Sequence, residues 1–300
     1  MRTKMKNFQI LQICLLSILF LGCNTDSKTN VSDEVNTVLY HGGDIITMDG
    51  DEYKLKEAVF SQNDVIVFTG SKEAALERFP KARQHSLQNQ VMMPGFVEPY
   101  VHPSLAATML PNEIIAPYDW ILPNGVKKCV SGHDAYMERI TNSINNNAKE
   151  GEMYFILGYH QLWYGELSRD LINAITKDKP VGIIHRSFHE IYLNDAAIAL
   201  LGISPEDFKG NPQVEWEKGH FFEGGWLALV PKMEPIMLEP TRYMEGLGMM
   251  TQLIQKNGIT TVAEPGFPSA DFNGELALLK KEMAKKPPYD VYLIPSGTQL

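Results

Sequence analysis

The residues able to do chemistry are few and unevenly placed. Eight histidines occur, at 41, 85, 102, 133, 160, 185, 189 and 220, and none lies beyond 220. Glu264 follows Thr260-Thr261-Val262 where an apolar, β-rich run gives out. A carboxylate at a strand end can take a proton or reach a metal; the other reading is a loop carboxylate that caps backbone amides. His220 and Glu223, in Gly219-His220-Phe221-Phe222-Glu223-Gly224, form a candidate ligand contact. His102 follows the run Val91–Val101, which Pro94-Gly95 interrupts. Neutral imidazole suits zinc or a similar ion, and a catalytic zinc needs about three protein ligands. Cys129 has no activating motif beside it, so no cysteine nucleophile is expected. Cys14 and Cys23 lie near the N-terminus, and three cysteines so placed imply no disulfide framework.

Two regions of different character must position these residues. Over 37–90 short strands alternate with turns: Val38–Tyr40, Asp44–Met48, Ala58–Phe60 and Val65–Thr69 are β-rich, and a short helix is expected at 72–79. This reads as a small β-sheet layer. Over 91–300, strands and helices alternate. Strands are expected at 91–102, 153–160, 181–186, 259–264 and 291–295. Helices are expected at 135–148, near 171–175, at 194–201 behind an Asn cap, at 241–256 before the C-cap signal Asn257-Gly258, and at 274–284. Such alternation implies an α/β fold with a parallel sheet, doubly wound or barrel-like. The stretch 103–134 is long and irregular, as functional insertions often are.

Composition sets bounds. Of 300 residues, 44% are hydrophobic and 21% charged, which excludes disorder and a polytopic membrane protein. Net charge is −9. The first 22 residues hold Arg2, Lys4 and Lys6 and no acid, which leaves 24 basic against 36 acidic residues from Cys23 onward. So acidic a chain is a poor candidate for nucleic-acid binding, which needs a basic surface. The basic start followed by Phe8–Gly22 reads as a signal segment over 1–22. Phe20-Leu21-Gly22-Cys23 resembles the bacterial lipoprotein box, which implies lipidation at Cys23 and a polar tether over 23–36. A lipid anchor in the cell envelope follows, with Asn24 favouring the outer membrane over the inner.

The segment Pro94-Gly95-Phe96-Val97-Glu98-Pro99-Tyr100-Val101-His102-Pro103 resembles the first barrel strand of the amidohydrolase superfamily, a Pro-Gly-Phe strand that ends in His-x-His. His41–Asp49, Val65–Ser71, Ile156–His160, Asp178–Ile183, Phe188–Asn194 and Gly258–Val262 follow in the order of its amidohydrolase-3 (YtcJ-like) subgroup, so the resemblance covers 37–295. It implies a partial TIM-like (β/α) barrel beside a small β-sandwich layer, and a hydrolase of non-peptide carbon–nitrogen bonds that acts through metal-activated water. It assigns His102 to a divalent metal, most naturally zinc. His160 and His189 go to a small-molecule substrate pocket and Glu264 to a catalytic assist. Tyr100 stands where the family has its first ligand histidine, and a phenol replaces imidazole poorly. Five barrel-type strands fall short of the eight of a closed barrel, so 91–300 is expected to be incomplete. The alternative is a non-catalytic, small-molecule-binding envelope lipoprotein on the same scaffold. A poorly folding product of a partial gene is the third reading. The oligomeric state is left open.

Overall fold

Strand β1 (Thr37–Ile46) buries Val38, Leu39, His41 and Ile45, and opens a sheet. In this computed structural model the described residues are 36–50 and 54–297. The expected signal segment, the lipid-acceptor Cys23 and the tether up to residue 35 lie outside them. The chain divides into two units, Met1–Pro94 and Gly95–Leu300.

In the first unit, β1 pairs antiparallel with β2 (Leu55–Gln62), which pairs antiparallel with β3 (Val65–Gly70). Helix α1 (Lys72–Arg78) follows, with Ser71 accepting a hydrogen bond from the Ala74 amide as its N-cap. It leads to β4 (Arg83–Ser86), which joins the far side of β1 in parallel. The sheet order is β3-β2-β1-β4. Leu39, Ala58 and Phe60 pack with Ala75 of α1, and Phe60 stacks on Phe79 at 3.8 Å between ring centroids. The expected sandwich is thus, among the described residues of this unit, one sheet covered by one helix.

The second unit begins with β5 (Phe96–Glu98), α2 (Pro103–Met109), β6 (Glu113–Ile114) and the hairpin β7 (Trp120–Leu122) and β8 (Gly125–Lys127). The stretch 103–134, expected to be irregular, therefore holds a helix and three strands. Next come α3 (His133–Asn147), β9 (Tyr154–Tyr159), α4 (Gln161–Tyr164), α5 (Arg169–Ile175), β10 (Val181–His185), β11 (Glu190–Leu193) and α6 (Asp195–Leu201). The chain continues through β12 (Val214–Glu215), β13 (His220–Phe222), α7 (Gly224–Met237), α8 (Pro240–Lys256), β14 (Ile259–Phe267), α9 (Phe272–Met283) and β15 (Asp290–Pro295). No helix of the described residues is long and apolar enough to cross a membrane.

All five expected barrel strands form, but they belong to two sheets, and the described residues close no barrel. Strands β9 and β10 lie in a six-stranded sheet ordered β12-β13-β11-β10-β9-β6, whereas β5, β14 and β15 make a separate parallel sheet ordered β15-β14-β5. The reason is local. A β/α barrel needs a crossover helix after each strand. After β10 the chain reverses at once through Arg186–His189, and β11 returns antiparallel. Strands β13 and β12 extend the antiparallel half.

Both faces of the larger sheet are covered, as its apolar strands require. Ile184, Leu157 and Ile191 face one core with Phe221, Trp226 and Leu229. Val181, Ile183 and Ile156 face another with Tyr136, Ile140 and Ile144 of α3. Asn194 is fully buried and satisfied: its Oδ1 accepts from the amides of Val181 (2.9 Å) and Ala197 (3.0 Å), and its Nδ2 donates to the Lys179 carbonyl (2.9 Å). The Asn cap expected from sequence thus also ties α6 to β10.

Helices α2 and α8 cross closely because Gly246 has no side chain. A Cβ there would overlap the Ala107 backbone, whereas a Cβ at Gly248, two residues on, meets nothing. Gly246→Ala is expected to lower stability by about 1–3 kcal/mol through overpacking. Gly248→Ala is expected to hold or raise stability by up to about 1 kcal/mol, as alanine favours helix. Urea unfolding of both variants checks this; equal effects would contradict the close crossing.

Candidate functional site

His102 is placed by β14. Strand β5 pairs with β14 through Val97–Thr261 and Glu98–Val262, and the Val101 amide donates to the Ala263 carbonyl at 3.2 Å. His102 then opens α2 as its N-cap residue, yet its side chain makes no capping bond. Glu264 supplies one instead. Its Oε1 accepts from the Ser104 amide at 2.8 Å and its Oε2 from the Ser104 hydroxyl at 3.2 Å. The imidazole of His102 is thereby left to the cavity beside it.

That cavity, of about 500 Å³, lies wholly within the second unit. His102, Leu105, Thr108 and Met109 line it from the start and body of α2. The β10–β11 reversal adds Ser187, Phe188 and His189. Glu223 and then Trp226, Leu227, Val230, Glu234 and Met237 come from α7, and Pro265, Gly266 and Ser269 from the end of β14 and beyond. The walls are mainly apolar with a few polar groups, as in small-molecule sites generally.

His189 and Glu223 form the best-defined polar pair. Glu223 Oε2 accepts from His189 Nδ1 at 3.1 Å, and both side chains are more than half exposed. The backbones beside this pair are strained: Phe188 has φ 64°, and Glu223 has φ 45° and ψ −113°. Such conformations cost a non-glycine residue roughly 1–3 kcal/mol and concentrate at functional sites.

Glu264 and His160 do not line the cavity. Glu264 is buried behind its wall, one residue before Pro265, and caps backbone in the way its second reading anticipated. Burial pushes its carboxyl up to about 7, against the pull of the Ser104 donors. His160 caps α4, accepting from the Leu162 amide at Nδ1 (3.1 Å), and its ring lies 4.6 Å from that of His185. His185 is buried, which holds its imidazole below the usual value. It contacts the Ser187 hydroxyl at 2.7 Å, and His220 Nε2 donates to Glu190 at 2.9 Å nearby. His160 thus belongs to a histidine cluster behind the reversal that carries His189. Trp226 and Glu234 escaped the sequence reading, because Pro231 and Pro235 interrupt the helical pattern of α7.

The donor set does not fit a divalent metal. Among the described residues no three His, Cys, Asp or Glu side chains are grouped to hold one. Tyr100 is 71% exposed and lies edge-on to His102, and both Glu264 oxygens already serve Ser104. The expected zinc site at His102 therefore lacks partners here.

No family model matches the sequence. The chain is 29% identical over 182 residues to YtcJ of Bacillus subtilis (strain 168), a protein named as an amidohydrolase. The match covers 55% of this chain and 30% of the relative. In fold it is similar to two uncharacterized metal-dependent hydrolases, from Pyrococcus horikoshii OT3 (TM-score 0.62, 18% identity) and Pyrococcus furiosus (TM-score 0.62, 16% identity). Each likeness covers 86% of this chain, and 48% and 49% of those chains respectively. The chain thus spans about half the length of these structures and less than a third of the curated relative.

Glu264 generates a pH prediction. Its folded value lies above the ordinary 4.5, so between about 4.5 and 7 the native state holds more protons than the unfolded one. Stability contributed here falls as pH rises through that window, by at most roughly 3 kcal/mol. Glu264→Gln keeps an acceptor for the Ser104 amide and cannot ionise, so that fall disappears. What remains includes Glu275, whose carboxyl burial also pushes up, and His185, whose lowered imidazole acts in the opposite direction. Urea midpoints of both proteins from about pH 4.5 to 8 test this, and equal slopes would contradict it. In sequence the chain is distantly related, over part of its length, to a protein named as an amidohydrolase, and in fold it is similar to two metal-dependent hydrolases.

Proposed function

We propose that this chain serves the hydrolysis of a non-peptide carbon–nitrogen bond in a small organic substrate held in the cavity of the second unit. One observation carries the reading: His102 and His189, far apart in sequence, line one cavity with mainly apolar walls. The distant relation to an amidohydrolase supports the reaction class. In this reading the walls from α2 and α7 hold the carbon body of the substrate and exclude water. His189, held at Nδ1 by Glu223, offers Nε2 to the polar group of the substrate. Glu264 acts as a positioning residue, since it fixes Ser104 and through it the turn that carries His102.

The donor set favours a second reading, in which the same cavity binds without turnover. Tyr100 in place of a ligand histidine is its specific support. In either case the basic, apolar start of the chain and Cys23 support a lipid-anchored place in the envelope, at the outer membrane rather than the inner.

One experiment separates the two. The full chain is incubated with a panel of N-acyl arylamines, with and without added Zn²⁺, while arylamine release and substrate binding are both followed. The hydrolase reading expects release that falls at least about tenfold in His102→Ala and His189→Ala. Binding that weakens in both variants, without release from any panel member, establishes the second reading. Release that is unchanged in both variants would contradict the assignment of this cavity.

A further inference from the structure

The charge of the cavity narrows its ligand. Two of its lining residues, Glu223 and Glu234, bear carboxylates, and no lysine or arginine lines it. Glu223 is already paired with His189. Glu234, half-buried on α7, makes no side-chain hydrogen bond or ion pair among the described residues. An anion inside such walls would meet two carboxylates, with only the imidazoles of His102 and His189 to offset them. A cation would meet a free carboxylate and two aromatic side chains, Trp226 and Phe188. Desolvated aromatic faces attract organic cations, and like charge disfavours the wrong ligand. Leu227, Val230 and Met237 offer the remaining surface to an apolar body.

We infer that the cavity selects an amine-bearing organic cation with an apolar body over a carboxylate of the same shape, with Glu234 as the residue that determines the preference. This rests on the reading of the cavity as the substrate site, and it adds the chemical class.

Three probes of one shape test it on the full chain: phenethylamine, phenylacetamide and phenylacetate, with binding measured by calorimetry at neutral pH. The expected order is amine, then amide, then acid, with about tenfold or more between the first and the last. Glu234→Gln, checked for unchanged thermal unfolding, is expected to weaken phenethylamine about three- to tenfold and leave phenylacetamide unchanged. Phenylacetate bound as tightly as phenethylamine would overturn the inference. So would an amine preference that survives in Glu234→Gln. In those two cases phenylacetamide still binds, and the cavity stands as a ligand site of another class. Failure of all three probes to bind would overturn the assignment of the cavity itself, and the inference with it.

Discussion

The bonds between Glu264 and Ser104 join parts of the chain 160 residues apart, and the site depends on them. A helix start leaves amide protons unpaired. The usual remedy is the side chain of the N-cap residue, here His102. Because a carboxylate from the end of β14 takes the Ser104 amide, the imidazole is released from that duty. The cost lies in Glu264 itself. Burying a carboxyl beneath the cavity wall raises its proton affinity, so the clamp opposes folding most where the group would ionise. Functional sites often hold such destabilised groups, and the surrounding packing compensates.

That packing has two sources. Helix α8 lies across α2 at Gly246, against the backbone of Ala107 in the body of that helix. The larger sheet supplies the other wall. Its strands are apolar on both faces and are buried on both, which fixes β10 and the reversal after it. The reversal carries Ser187, Phe188 and His189 to the cavity, and its strained backbone indicates that this placement is imposed by its neighbours. The two histidines thus reach one cavity by unrelated routes, one through a capped helix start and the other through a tight turn between antiparallel strands.

The strands were legible where apolar runs were bounded by turn residues, as at Val181–His185 and Ile259–Phe267. So was the Asn194 cap, because an asparagine before an apolar helix has a definite job. The separation into two sheets was not legible. Nothing local in Arg186–His189 distinguishes a reversal from the start of a crossover, and only the pairing of β11 with β10 decides it. Helix α7 was hidden by its prolines, and one part of the cavity wall with it. For the site, His102 and His189 were legible from motif order as residues of interest, and the fold places both at one cavity. The role of Glu264 was not, since whether a strand-end carboxylate faces a ligand or a backbone amide depends on a helix 160 residues earlier in the chain. His160 sits at a strand end in the same manner as His102, but the short helix α4 claims its ring as a cap.

The central claim is that Glu264 acts on the site only by placing His102. A double-mutant cycle on ligand binding tests it most directly, with phenylacetamide as probe and Glu264→Leu, His102→Ala and their combination as variants. The clamp account predicts that Glu264→Leu weakens binding in the otherwise unchanged chain and has no further effect once His102 is alanine. Losses that add in full in the double variant would contradict it, since Glu264 would then contribute by a route that bypasses His102.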